Sequence, residues 1–125
     1  MIKIKFRAKI KPGYEGFGYK AGDWFYWTIK DKFTMQEMLD WETLGQYTGR
    51  KDKNSKEIYG GDVVKVPLNG VEKDILIREI VWRFSGFYIP VSGGGDFIAL
   101  HKYTPKQCEI IGNIYENPEL LQESS

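Results

Sequence analysis

The side chains that could carry out catalysis are few and lie apart along the chain. His101 is the only histidine and Cys108 the only cysteine. A nucleophile of the Ser-His or Cys-His kind needs its base within hydrogen-bond reach, and this pair, separated by a segment with Pro105, matches no known motif. We therefore expect a surface histidine, a buried structural thiol and no enzymatic activity.

Metal and cofactor sites are equally unsupported by the residue spacing. A single cysteine forms no internal disulfide and no thiolate zinc cluster. The glycines of 13–22 and 93–95 do not form a phosphate-binding loop and predict turns. Asp23, Asp62 and Asp96 each lie beside a predicted strand, where capping of a turn explains them. We expect no cofactor and no metal.

Two groups of basic side chains are candidate contacts for nucleic acid or for a protein partner. Lys3, Lys5, Arg7 and Lys9, followed by Lys11, alternate with apolar residues at the N-terminus. Their spacing of about 6.7 Å on a strand suits a nucleic-acid backbone, but a solvated face that prevents edge-to-edge aggregation is the favoured interpretation.

The second group lies in the polar segment that follows Thr48. Its members are Arg50, Lys51, Lys53 and Lys56, diluted by Asp52 and Glu57. A solvated turn is again the simpler interpretation. A contact function gains weight here because distinctive loop sequences more often carry binding than packing.

Composition limits the class of protein. A chain of 125 residues forms one compact domain or two small subdomains. Its 18 basic and 17 acidic residues argue against a protein that wraps nucleic acid, although they allow a local basic patch. The alternating N-terminus is unlike a signal peptide, and no apolar run could span a bilayer, so we expect a cytoplasmic protein.

Period-two alternation predicts a strand over residues 2–10, and the aromatic run 24–29 predicts a second strand. Residues 33–44 fit either a helix, with Thr34 and Glu37 as a capping box, or one helical turn followed by a strand. Residues 52–55 suit a tight reversal, and most of the aromatic side chains should lie in the core.

Later segments predict about five strands and a short closing helix. The strands cover 62–66, a long and bulged 74–84, 87–91, 97–100 and 108–115, with a hairpin at Asn69-Gly70 and a helical turn after Asn117. This pattern predicts a mainly β fold of two small β subdomains. The first subdomain covers residues 1–48, and the second is an SH3-like barrel over residues 62–121. A polar connector, 49–61, joins them, and a frayed tail, 122–125, follows.

The segment QYTGRKDKNSKEIYGGDVVKV, residues 46–66, resembles the central signature of the YopX-like proteins of phages and prophages. IKIKFRA at residues 2–8 and EIIGNIYENPELL at 109–121 resemble the opening and closing segments of that family. Arg50, Ser55 and Gly60 depart from its usual residues. The resemblance implies a mainly β fold and a phage origin, and it supplies no catalytic residues.

We therefore expect a non-enzymatic phage accessory protein that acts in the bacterial host by binding a protein partner or copies of itself. The alternative is a nucleic-acid-binding β module that uses the N-terminal basic strand or the connector loop. Residue types alone identify neither the partner nor the assembly state.

Overall fold

The structure, a computed structural model, is built from short β-strands. It describes residues 4–15, 18–31, 36–68, 71–83, 86–91 and 97–121, and of 71–74 only the backbone. Within these ranges there are ten strands, four 3₁₀ turns and no α-helix, which confirms the mainly β prediction. The chain divides into two compact units, Met1–Tyr47 and Thr48–Ser125.

The strands, in chain order, are β1 Lys5–Ile10, β2 Trp24–Thr28, β3 Leu39–Lys51, β4 Glu57–Tyr59, β5 Asp62–Leu68, β6 Val71–Glu79, β7 Val81–Arg83, β8 Gly86–Pro90, β9 Phe97–Ala99 and β10 Glu109–Asn113. The 3₁₀ turns are Gln36–Met38, Leu100–Lys102, Pro105–Gln107 and Pro118–Leu121. Three antiparallel sheets result, ordered β2-β1-β3-β4, β10-β5-β6 and β7-β8-β9.

The first unit is organised around β1, which lies between β2 and β3. Ala8 and Ile10 alternate inward and are buried with Met38 and Leu39. Four half-buried rings pack around this cluster, those of Tyr14, Tyr19, Phe25 and Trp27. The strands predicted over 2–10 and 24–29 are thus confirmed for Lys5–Ile10 and Trp24–Thr28.

The ambiguous segment 33–44 follows the second of its two interpretations, a single turn and then a strand. The turn is Gln36–Met38, and Thr34 of the predicted capping box lies outside the described residues. The register of β1 against β3 shifts between Arg7 and Lys9. At that shift Thr43 Oγ1 accepts a hydrogen bond from the Lys9 amide (2.8 Å), so a bulge disrupts the alternation of this segment.

Residues 49–61, predicted as a polar connector, contain the end of β3, a tight reversal and β4. The reversal predicted at 52–55 is confirmed. The Ser55 amide donates to Asp52 O (3.0 Å), and the Asp52 amide donates to Lys56 O (2.8 Å). The chain therefore folds back as a hairpin within this polar segment.

The predicted long strand 74–84 is two strands in two different sheets. β6 pairs with β5, whereas β7 pairs with β8. Ile80 lies between them and is 1% exposed, so the chain changes sheets at a buried anchor. The described residues form no closed barrel, and the SH3-like barrel over 62–121 is not confirmed.

The core of the second unit collects side chains from six of its strands, β4, β5, β6, β8, β9 and β10, and from the turn Leu100–Lys102. Its buried members are Ile58, Val64, Val66, Ile80, Ile89, Leu100, Tyr103 and Cys108. Leu76, Phe87, Ile98 and Ile110 pack against them and are partly buried. Aliphatic side chains on both faces of β5 explain why that strand reads as a nearly continuous apolar run.

Turn residues behave largely as the sequence predicts. Asp62 Oδ2 accepts the Tyr59 amide (2.8 Å), and Asp23 Oδ2 accepts the Lys20 amide (2.9 Å). Between Tyr59 and Asp62, Gly61 has φ +93°, and a Cβ there would lie 3.2 Å from the Tyr115 ring. Asp96, Asn69-Gly70 and the glycines 93–95 lie outside the described residues.

The closing helix predicted after Asn117 is present as the 3₁₀ turn Pro118–Leu121. Across the described ranges, no helical segment reaches the length and hydropathy of a bilayer-spanning helix.

Candidate functional site

The two candidate catalytic side chains have ordinary structural environments. Cys108 is 2% exposed in the core of the second unit. Burial raises the pKa of its thiol to about 11, against a smaller lowering by the Arg50 charge. The thiol is therefore protonated at neutral pH, and the prediction of a buried structural thiol is confirmed. His101 is exposed in the turn Leu100–Lys102, as predicted.

Over the described part of the chain, no three side chains of His, Cys, Asp or Glu come together as metal ligands would.

The predicted basic face of β1 packs against aromatic rings. The Arg7 guanidinium lies 4.1 Å from the centre of the Trp24 ring, and the Lys9 ammonium lies 5.0 Å from the same ring. The Lys5 ammonium lies 5.7 Å from the Tyr47 ring. Since Arg7 is only 6% exposed, the prediction of a solvated face is wrong there. Lys3 lies outside the described residues.

The four basic residues of the connector do not form one surface. A guanidinium N–H of Arg50 donates to Tyr103 O, which ties this half-buried side chain to the fold. Lys51 lies on β3, and Lys56 precedes β4. Lys53 lines a groove on the second unit.

A groove of about 290 Å³ opens on the second unit, and we call it the basic groove. It is lined by Lys53, Lys65, Val66, Pro67, Ile75, Lys106, Gln107, Cys108 and Glu109. Three lysines thus face one carboxylate. Its apolar lining residues are Val66, Pro67, Ile75 and Cys108, of which Ile75 is exposed. The groove therefore combines positive charge with one exposed aliphatic side chain.

Strand register explains why these residues meet. Lys65 lies opposite Glu109 on β10 and Ile77 on β6, and Pro67 lies opposite Ile75. Residues that lie opposite each other project on the same face of a sheet. The turn Pro105–Gln107 then brings Lys106 to the end of that face.

Asp52 positions Lys53 at the groove. Its carboxylate is 2% exposed and accepts the Asn54, Lys56 and Ile110 amides at 2.9–3.0 Å. The Lys53 amide donates to Cys108 O (2.9 Å), and its ammonium lies 3.3 Å from the Glu109 carboxylate. The reversal is thereby fastened to β10.

The first unit carries a second surface, which we call the apolar face: Ile4, Phe6, Trp27, Ile29, Trp41 and Leu44. The Trp27 ring stacks on Phe6 (5.7 Å between centres) and meets Trp41 edge-on (5.8 Å). The Ile29 amide donates to Ile4 O (3.1 Å), which joins both isoleucines at the end of the β1–β2 pair. Ile4, Trp41, Leu44 and Ile29 are 40–65% exposed.

Acidic side chains accompany Trp41. Asp40 and Glu42 flank it in the chain, and Glu37 belongs to the turn Gln36–Met38. The Trp41 indole N–H donates to Gln36 O (3.2 Å), which places the ring beside that turn. The Trp41 ring therefore lies beside a turn that carries Glu37.

Sequence reasoning missed most residues of both surfaces. Lys65 and Lys106 stand alone in the sequence, and only strand pairing brings them to Lys53. Trp41 and Leu44 lie in the bulged part of β3, where no alternation marks which side chains are exposed. The sequence signal that could have indicated this surface is the position of Trp41 and Leu44 among acidic residues.

These features define a small mainly β protein of two compact units, each with one distinctive surface. The family profile described as YopX protein matches residues 18–122, and the chain belongs to that family. The match does not include β1, so the likeness of residues 2–8 to the opening of the family stays a prediction. A search of curated proteins found no significant match.

Proposed function

We propose that this protein is a non-catalytic accessory protein of a phage or prophage that acts in the host cytoplasm by binding another protein. The observation that carries the proposal is the apolar face, where four large side chains are 40–65% exposed and one of them, Trp41, meets the Trp27 ring edge-on. Contiguous apolar surface of this kind marks interaction sites on soluble proteins. The neutral Cys108 thiol supports the non-catalytic part.

The chemistry of the face specifies the partner. Trp41 offers a large flat ring of the type that dominates interface energetics. Its acidic neighbours Asp40 and Glu42, together with Glu37, favour a partner with basic side chains around an apolar anchor. The partner we expect therefore presents apolar residues bordered by Lys or Arg.

The test is a pull-down from host lysate with immobilised wild-type protein and two variants of the face, Trp41→Ala and Ile29→Ser. Trp82→Ala is the matched control, because Trp82 is 55% exposed but belongs to β7 in the second unit. We expect a protein that wild type and Trp82→Ala retain, and that both face variants lose.

Capture that survives the face variants would count against the proposal, as would capture lost equally in the Trp82 control. A sizing run over a range of concentrations identifies the case in which the partner is a second copy. In that case the apparent mass rises with concentration in wild type and stays constant in Trp41→Ala.

The second candidate function is nucleic-acid binding, and one observation favours it: the fold brings Lys53 together with Lys65 and Lys106. Gel shifts of single- and double-stranded DNA at low and high salt test it, because binding to phosphates weakens steeply as salt rises. The absence of a shift at low salt would eliminate this candidate.

A further inference from the structure

We propose that the basic groove binds an acidic polypeptide segment that carries an aliphatic side chain between its carboxylates. This binding site lies wholly on the second unit and does not depend on the function proposed for the apolar face.

The charge of the groove selects a negative ligand. Lys53, Lys65 and Lys106 line it with Glu109 as the one carboxylate among its described lining residues. Glu109 already has an ion-pair partner in Lys53 at 3.3 Å. Within the described chain, Lys65 and Lys106 form no such pair and are exposed, so their ammonium groups are available to ligand carboxylates.

The remaining lining selects an aliphatic group. Pro67 and Ile75 lie opposite each other on β5 and β6, and Ile75 is 44% exposed. Ile75 is therefore the aliphatic surface that gains by covering, whereas Pro67, Val66 and Cys108 are buried and leave little surface for a ligand. A volume of about 290 Å³ accommodates one or two side chains and not a folded domain.

Two features favour a peptide over a nucleic acid. Base binding by single-strand proteins relies on aromatic rings on which bases stack, and the described residues that line the groove include none. The exposed Ile75 side chain also gains more from contact with an aliphatic side chain than with a phosphate or a sugar.

The test measures fluorescence anisotropy with a short labelled peptide of alternating Glu and Leu. Three comparison probes are the same peptide with Ser in place of Leu, a Lys-Leu peptide, and an oligothymidylate of equal charge. The protein variants are Lys65→Glu with Lys106→Glu, and Ile75→Ser. Lys102→Glu is the matched control, an exposed lysine of the second unit outside the groove.

We expect the Glu-Leu peptide to bind wild type and Lys102→Glu equally, and the double charge reversal to weaken binding by about tenfold or more. Ile75→Ser should weaken the Glu-Leu peptide and leave the Glu-Ser peptide unchanged. Affinity should fall as salt rises. Unchanged circular dichroism and urea midpoints show that the variants are folded.

Three outcomes would overturn the proposal. The first is that no peptide binds. The second is that Glu-Ser binds as tightly as Glu-Leu, which removes the aliphatic requirement. The third is that oligothymidylate binds in the groove more tightly than the peptide and loses affinity on the double charge reversal, which identifies a nucleic-acid site instead.

Discussion

Asp52 shows how one buried carboxylate organises a turn and a distant strand. Burial alone would raise the pKa of Asp52, but the hydrogen bonds from the Ile110, Lys56 and Asn54 amides together outweigh it, and the pKa is lowered. The charged form is therefore favoured by folding. Its stabilisation is complete above the unfolded-state pKa of about 4 and is lost as the pH falls through the lower folded-state pKa.

We predict that Asp52→Asn lowers the free energy of unfolding by about 2 kcal/mol at neutral pH, because an amide cannot accept all three N–H groups. The loss should shrink as the pH falls below about 4, because the carboxyl of the unfolded chain becomes protonated there and the folded carboxyl follows at lower pH. Urea denaturation across this pH range measures both effects. Asp31→Asn is the control, since Asp31 caps only the Thr28 amide in an exposed turn. Equal losses in the two variants would contradict the prediction.

Tyr103 presents the opposite case, a buried polar group whose burial no hydrogen bond offsets among the described residues. Its hydroxyl is buried with no hydrogen-bond partner among the described residues, and burial, followed by the nearby Cys108, raises the pKa of Tyr103. Tyr103→Phe should therefore leave stability unchanged or raise it by about 1 kcal/mol. Thermal unfolding of wild type and Tyr103→Phe measures this difference in stability. A lower stability of the variant would show that the hydroxyl has a hydrogen-bond partner.

Cys108 should be chemically inert in the folded state. Its thiol pKa of about 11 reduces the thiolate fraction, and its burial blocks access. We predict that a thiol-specific reagent labels the native protein at least about a hundredfold more slowly than the urea-unfolded protein at the same pH. Comparable rates would place the thiol at the surface.

Residue types predicted the roles of Cys108, Asp23 and Asp62, because a turn cap and a small apolar thiol act through their immediate surroundings. They did not predict the burial of Arg7. That outcome depends on Trp24, which is a neighbour only through the β1–β2 register.

Among the elements, β10 and the turn after it depend on one glycine. Gly112 lies at the register shift between β10 and β5. A Cβ on Gly112 would lie 2.5 Å from Asn117 Oδ1 and 2.9 Å from Leu120 Cδ1. A side chain at this position would therefore displace the Asn117 and Leu120 side chains from their places against the strand.

We predict that Gly112→Ala costs about 1–3 kcal/mol of stability, because the Asn117 and Leu120 side chains must move and the Asn113 amide loses its hydrogen bond to Asn117 Oδ1. Gly86→Ala is the matched control. Its Cβ would lie no closer than 3.4 Å to a neighbouring atom, the edge of the Tyr88 ring, and should cost much less. Chemical denaturation measures the free energy of unfolding of both variants. Similar costs would show that the turn adapts freely to a side chain at Gly112.

Sequence pattern predicted elements best where alternation is strict. β1 was predicted closely because one of its faces is apolar, and β2 was predicted closely because a run of aromatic residues favours a strand. The break at Ile80 was not predicted, because a bulge within one strand and a passage between two sheets disturb the alternation in the same way. The bulge at Asp40–Thr43 disturbs the alternation of β3 in a related way, so the sequence left a helix and a strand as two interpretations of that segment.

For the whole molecule, the two surfaces differ in charge as well as in position on the chain. The apolar face presents exposed Ile and Trp side chains, whereas the basic groove presents three lysines. The two proposals together describe an adaptor that holds a different polypeptide on each unit.

We predict that the two binding activities are separable. Trp41→Ala should leave the affinity for the Glu-Leu peptide unchanged, and the double reversal at Lys65 and Lys106 should leave capture through the apolar face unchanged. Anisotropy titrations and pull-downs with both sets of variants measure this. Loss of both activities in either variant would show that the surfaces act as one site.

The hairpin over residues 52–56 has a consequence for any ligand of the groove. Two hydrogen bonds fix its backbone in advance, one from the Lys53 amide to Cys108 O just before β10 and one from the Ile110 amide of β10 to the Asp52 carboxylate. A ligand would therefore meet a wall that is already ordered and would lose little affinity to conformational entropy when it binds. Loosening that attachment should increase the dissociation rate without removing any charge from the groove.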